Sequence, residues 1–147
     1  EDGIKNADAD WRIPYYMATT YHIYLKDYGK AAHYFDLASR MPDAPDSIKS
    51  ISARYRTSES ALEQTKQIWI SIYETSRDEL MIEQAKNHII HLEIMEMLQK
   101  ALSIYKQKYG LYPPSLNDLV TKKIIKEVPL SPLGVSFVVR GERVSVE

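Results

Sequence analysis

YYMATTYHIYLKDYGKAAHYFDLASRMP, residues 15–42, is the stretch that decides the fold. Tyr15, Ala18, His22 and Leu25 fall three or four residues apart, the spacing of one helical face. Lys26–Gly29 interrupts that face as a turn. Ala31, Ala32, Phe35 and Ala38 then form the inner stripe of a second helix, which Pro42 and Pro45 end. The spacing predicts a hairpin of two antiparallel helices over 12–25 and 28–40. Asp10 is the expected N-cap of the first helix. Pro14 falls in its opening turn, where a missing N–H costs little. Small residues let the helices approach, and the hairpin is expected to be sealed by Ala31, Phe35 and Ala38.

Further along, residues 46–56 read as a third helix capped by Asp46 or Ser47. A fourth is expected over 59–75, with Ser58 as N-cap and Ala61, Leu62, Thr65, Ile68 and Ile72 on one face. Asp78 opens the longest element, which runs to Tyr109 without Gly or Pro. Ile82, Ala85, Ile89, Leu92, Met95, Leu98, Leu102 and Tyr105 mark its apolar face. At 1.5 Å per residue it spans roughly 46 Å. Gly110 is a natural C-cap. Ser115 is expected to cap a short helix over 115–121, and Pro129 and Pro132 bracket a loop. Ser136–Val139 and Arg143–Val146 read as strands joined by Arg140-Gly141-Glu142. A lone two-stranded ribbon is marginal, so it must pack on the long helix or be completed by a partner strand. Val138, Val139, Val144 and Val146 offer an edge for strand addition, which Arg140, Glu142 and Arg143 would guard. The expected division is 1–76 for the helical hairpins and 77–147 for the long helix and tail.

Two resemblances follow from particular residues. Tyr15, Ala18-Thr19, His22, Ala31, Phe35 and Pro42 keep the order of the tetratricopeptide (TPR) landmarks, with Tyr for Trp, Thr for Gly and His for Tyr. Residues 12–42 thus resemble one TPR repeat, and 46–75 a degenerate second. The fold this implies is mostly α: an α-solenoid fragment of antiparallel hairpins, plus a long helix and a small C-terminal β-hairpin. Separately, Ala101-x3-Tyr105, Tyr109-Gly110-x-Tyr112-Pro113-x-Ser115-Leu116-x2-Leu119 and Pro129-x-Ser131-Pro132-x-Gly134 resemble the globular region of type II secretion pseudopilins of the G-type class, over about 98–147. Ser131 stands where that family has Asp, and Leu133 where it has an aromatic. Nothing matches its calcium-binding loop, and helical repeats stand in place of its apolar assembly helix. The resemblance therefore implies a pseudopilin-like fold element and an extracytoplasmic setting, without pilus assembly.

Several chemistries are not supported. Lys plus Arg is 19 and Asp plus Glu is 20, which gives no electrostatic case for nucleic acid. Without cysteine there is no disulfide, thiolate metal site or cysteine nucleophile. No run approaches the roughly 20 apolar residues that span a bilayer; Ile89–Leu98 is broken by His91, Glu93 and Glu96. The chain opens on Glu1, so a processed or trimmed piece is expected, and either a signal peptide or a membrane tether upstream is compatible with it. His88 and His91 lie three apart but lack a third ligand, so no metal is expected. His22 and His33 are expected to pack within the first hairpin. Glu93/Glu96 and Asp78/Glu79 read as solvated helix faces. No G-x-S-x-G, Walker loop or G-x-G-x-x-G occurs, and neither enzyme activity nor a cofactor is expected.

Binding is the remaining class. In TPR-like arrays the first helix of each hairpin lines the concave surface. With Ala18, Thr19 and His22 turned inward, Tyr16, Thr20, Ile23 and Tyr24 would face the groove and contact a protein partner. The alternative is that the long helix covers this face. Arg12 and Lys26 are too few for a carboxylate clamp. The expected function is a non-catalytic protein–protein interaction scaffold in an envelope or secretion-related assembly, on the periplasmic side of a membrane. The alternatives are a cytoplasmic location and a self-associating structural subunit that uses the long helix or the terminal β-hairpin.

Overall fold

The computed structural model describes residues 10–147, so the expected processed end at Glu1 lies outside the described residues. The chain is mostly helical, with a long helix and a small C-terminal antiparallel hairpin, as the sequence predicts. Seven helices are described: α1 Arg12–Ile23, α2 Tyr28–Ser39, α3 Asp46–Lys49, α4 Ile51–Thr57, α5 Ala61–Thr75, α6 Glu79–Tyr109 and α7 Asn117–Thr121. Two strands follow, β1 Phe137–Arg140 and β2 Arg143–Val146. The chain divides into two compact units, one reaching Ala85 and one from Lys86 to Glu147.

In the first unit, Trp11 rather than the expected Asp10 occupies the N-cap position of α1, and it makes no side-chain cap bond. From one residue earlier, Asp10 Oδ1 accepts from the Arg12 backbone N–H at 3.0 Å, satisfying a donor that the first turn leaves free. The chain reverses at Lys26, whose φ is +51°, and the Asp27 carboxylate caps α2 by accepting from the Lys30 N–H at 3.0 Å. Ala31, Phe35 and Ala38 are fully buried and meet Tyr15 and Ala18 of α1 in one core. The hairpin seal therefore forms as the sequence predicts. Ile48, Ile51, Tyr55 and Ile68 complete that core.

The expected helix over 46–56 is instead two, because the ladder breaks at Ser50. The Ser50 hydroxyl and the Arg54 guanidinium both donate to the Ser47 carbonyl, at 3.2 and 2.7 Å. Side-chain donors thus compete with the backbone for that acceptor. Neither Asp46 nor Ser47 caps α3. Pro45 stands there in extended conformation, and its carbonyl takes the Ile48 and Lys49 N–H groups.

Helix α5 starts at Ala61 instead of 59, and Ser60 is its cap instead of Ser58. The Ser60 hydroxyl accepts from the Glu63 N–H at 3.1 Å, and the Glu63 carboxylate accepts from the Glu59 N–H at 2.9 Å. This is a near-reciprocal capping box. Ser58 belongs to the end of α4, where its hydroxyl donates to the Arg54 carbonyl at 2.8 Å. Ala61 is exposed, and the buried face of α5 centres on Ile68 and Ser71.

The second unit is built on the C-terminal half of α6. Leu98, Ala101, Leu102 and Tyr105 form a core with Leu116, Leu119, Phe137 and Val144. Gly110 stops the helix with φ +81°, its N–H reaching the Lys106 carbonyl at 2.8 Å. No atom lies within 4 Å of where a Cβ would stand, so Gly110→Ala meets only the left-handed backbone penalty. That penalty is about 1 kcal/mol. A urea midpoint lowered by that amount, with a smaller loss for Gly110→Asn, is the expected outcome.

Helix α7 begins at Asn117, two residues after the expected start. Ser115 lies ahead of it, and both its N–H and its hydroxyl donate to the Asp118 carboxylate. The strands pair Phe137 with Val146 and Arg140 with Arg143, so β1 is one residue later than expected. That leaves a two-residue turn. Gly141 adopts φ +65° at its first position, the arrangement in which a glycine-first turn suits strand twist. Phe137 and Val144 bury the hairpin against α6. Val144 is therefore part of the core rather than of an open edge. Gln99 of α6 fixes the hairpin further: its amide donates to the Glu142 carbonyl at 2.8 Å and accepts from the Val144 N–H at 3.0 Å.

Candidate functional site: an apolar cleft in the first unit

A cleft of about 430 Å³ lies between α1, the second half of α5 and the turn that opens α6. One wall is Tyr16, Thr19 and Ile23, a stripe of α1 at intervals of three and four. The opposite wall is Ile68, Ile72 and Thr75 of α5. Both of the chain's tryptophans, Trp11 and Trp69, line the cleft, as does Met81 of α6.

The floor is held by a buried hydrogen bond. Tyr15 Oη lies 2.7 Å from Ser71 Oγ. The Ser71 hydroxyl donates to the Ile68 carbonyl, so Tyr15 is the donor of the pair. Burial raises the Tyr15 phenol to about 12, and it stays protonated through the physiological range. The floor of the cleft at Tyr15 is thus neutral.

Charge is confined to the mouth. Arg12 pairs with Asp10 at 3.0 Å and lies over the Trp11 ring. The Asp78 carboxylate caps α6 by accepting from the Leu80 N–H at 2.9 Å. Among the described residues, Arg77 has no ion-pair partner. A cation is therefore free beside an apolar cavity.

Of the four residues expected to bind a partner, Tyr16 and Ile23 line the cleft. Thr20 and Tyr24 are exposed but lie outside the lining; Tyr24 is 78% accessible. Thr19, assigned from the sequence to the inner face, lines the cleft in their place. A helix advances about 100° per residue. The arc through Tyr16, Thr19 and Ile23 is therefore rotated from the expected arc through Tyr16, Thr20 and Tyr24. The contributions of Trp69, Ile72, Arg77 and Met81 were missed. The two tryptophans were the available signal, since large aromatic side chains are the usual anchors of binding surfaces.

Polar groups elsewhere are committed to structure. His22 is buried between Tyr55 and Thr65, with 2.8 Å from Nδ1 to Tyr55 Oη and 2.8 Å from Nε2 to Thr65 Oγ1. The Thr65 hydroxyl donates to the Ala61 carbonyl at 2.9 Å, so it accepts from His22 Nε2–H. His22 Nδ1 then accepts from the Tyr55 hydroxyl, which defines a neutral tautomer. Burial depresses the His22 pKa, in agreement with this. Stability from neutral His22 is full above the unfolded histidine value of about 6.5 and is lost as pH falls through the lower folded value. The urea midpoint of the first unit should fall between pH 7 and pH 5, and His22→Gln should flatten that dependence.

His33 is exposed instead of packed, with its ring edge against Tyr34 at 5.1 Å. In the second unit, His91 stacks on Phe137 and its Nδ1 lies 2.7 Å from Ser131 Oγ. Ser131 Oγ also accepts from the Leu133 N–H at 3.0 Å, so the pair holds the loop between α7 and β1. Among the described residues no three His, Asp or Glu side chains gather as metal ligands, and no helix is long and apolar enough to cross a membrane. No protein-family model, curated protein or solved structure matches the chain.

Proposed function

We propose that the chain is a non-catalytic scaffold that docks a short segment of a partner protein in the first-unit cleft. The observation that carries this reading is an apolar cavity walled by Tyr16, Ile23 and Ile72, with Arg77 unpaired at its mouth. Such a site suits one or two aliphatic or aromatic side chains followed by a carboxylate. Apolar contact supplies the affinity and the charge pair the orientation. The TPR resemblance over 12–75 favours the same use of the hairpins. The pseudopilin resemblance of the tail favours an extracytoplasmic secretion or envelope assembly, tethered to a membrane.

Peptides selected from a random library by the intact protein test this reading. The expected consensus is an apolar pair near an acidic residue. Binding should shift tryptophan emission, because both tryptophans line the cleft. Ile23→Glu should abolish binding, and Tyr24→Ala, which lies off the lining, should leave it unchanged. Peptides that bind Ile23→Glu as tightly, without changing tryptophan emission, would overturn the assignment. Fractionation of cells expressing the full-length gene checks the location; recovery in the cytosol counts against it.

A further inference from the structure

On α6, within the second unit, Ile90, Met97 and Ile104 are 37%, 38% and 51% exposed and recur every seven residues. Ile94 and Ala101, four residues after Ile90 and Met97, pack on the unit's own core, so the exposed face is the seven-residue column alone. A seven-residue period is that of a coiled-coil seam, and each such step drifts only about 20° around a straight helix. Beside this column, three residues after Ile90 and Met97, stand Glu93 and Lys100. Both are exposed, and neither has an ion-pair partner among the described residues.

We propose that this face docks on the same face of a second copy of the chain, with the two α6 helices antiparallel and a two-fold axis near Met97. The charges set the direction. Glu93 and Lys100 are placed evenly about the middle of the seam. An antiparallel two-fold therefore brings Glu93 of one copy beside Lys100 of the partner subunit, and repeats the pair on the other side of the axis. An isologous contact needs this self-complementarity. A parallel pair would set the same column against the flank carrying Leu98 and Tyr105, which are buried in their own core, and would leave both charges unmatched. None of these residues lines the first-unit cleft, so the failure of this proposal and that of the docking reading are separable.

Sedimentation equilibrium of the full chain, from micromolar to near-millimolar concentration, is the test. A reversible monomer–dimer equilibrium is expected, and Met97→Glu should leave a monomer with an unchanged helical circular dichroism spectrum. Glu93→Lys or Lys100→Glu alone, each felt twice across the axis, should raise the dissociation constant about tenfold. The double variant Glu93→Lys/Lys100→Glu should return it to within about threefold of the original, because the pair is restored with its signs exchanged. A monomer at every concentration would overturn the proposal. So would a dimer indifferent to Met97→Glu, or one that the double reversal fails to rescue.

Discussion

Phe35→Ala is expected to cost the first unit about 3–5 kcal/mol, the range for truncating a fully buried phenylalanine. Domains of this size are commonly stable by only about 5–15 kcal/mol, so the variant would approach the threshold of folding. Phe35 lies at the centre of an aromatic group, 4.8 Å from the Tyr55 ring and 6.1 Å from the Tyr15 ring. Each tyrosine in turn anchors a polar contact, Tyr55 to His22 and Tyr15 to Ser71. The cavity left by alanine therefore adjoins two networks whose members have no water to turn to. Urea denaturation followed by circular dichroism gives the size of the loss. Hydrogen exchange should place it in residues 12–75. Phe35→Leu, which keeps most of the volume, should lose under about 1.5 kcal/mol. A loss below 1 kcal/mol for the alanine variant would mean that the hairpin does not depend on this contact.

Leu102→Ala is the counterpart in the second unit, with an expected loss of about 2–5 kcal/mol. Leu102 is fully buried in the core that joins α6 to α7 and the hairpin, and that core shares no residue with the first. The short elements depend on it more than α6 does. Helix α7 has five residues and the sheet has two strands, too little to persist without packing. Amide protection in residues 112–147 should therefore collapse before that of residues 12–57 changes. Equal loss of protection in both stretches would contradict the separateness of the cores.

The helical faces of α2 and α6 were legible because apolar spacing is read directly from the chain, whereas Leu25, expected on the face of the first helix, lies exposed beyond the end of α1, and Ala61, expected on the face of α5, is exposed. Ala31, Phe35 and Ala38 fell where the pattern put them, and so did the full length of α6 with Asp78 ahead and Gly110 behind. The misplaced boundaries lie where several serines compete. Ser58 and Ser60 are equally good caps by composition, and Glu63 three residues after Ser60 decides between them. The break at Ser50 depends on Arg54 reaching back to the Ser47 carbonyl, a contact that no periodicity encodes. The cleft was only half legible. Its α1 wall follows from helical spacing to within one position, whereas the wall from α5 and the Arg77 cation require the tertiary fold.

Gln99 offers a last consequence. Its side chain donates to the carbonyl of residue 142 and accepts from the N–H of residue 144, the pair of bonds that the N–H and C=O of one residue in a neighbouring parallel strand would make. One rung of β2 is thus already taken by an amide that belongs to a helix. A foreign chain seeking to extend the ribbon beyond β2 must evict that amide first. Templated stacking on that side therefore has to displace a side chain already seated there, at the cost of both of its bonds.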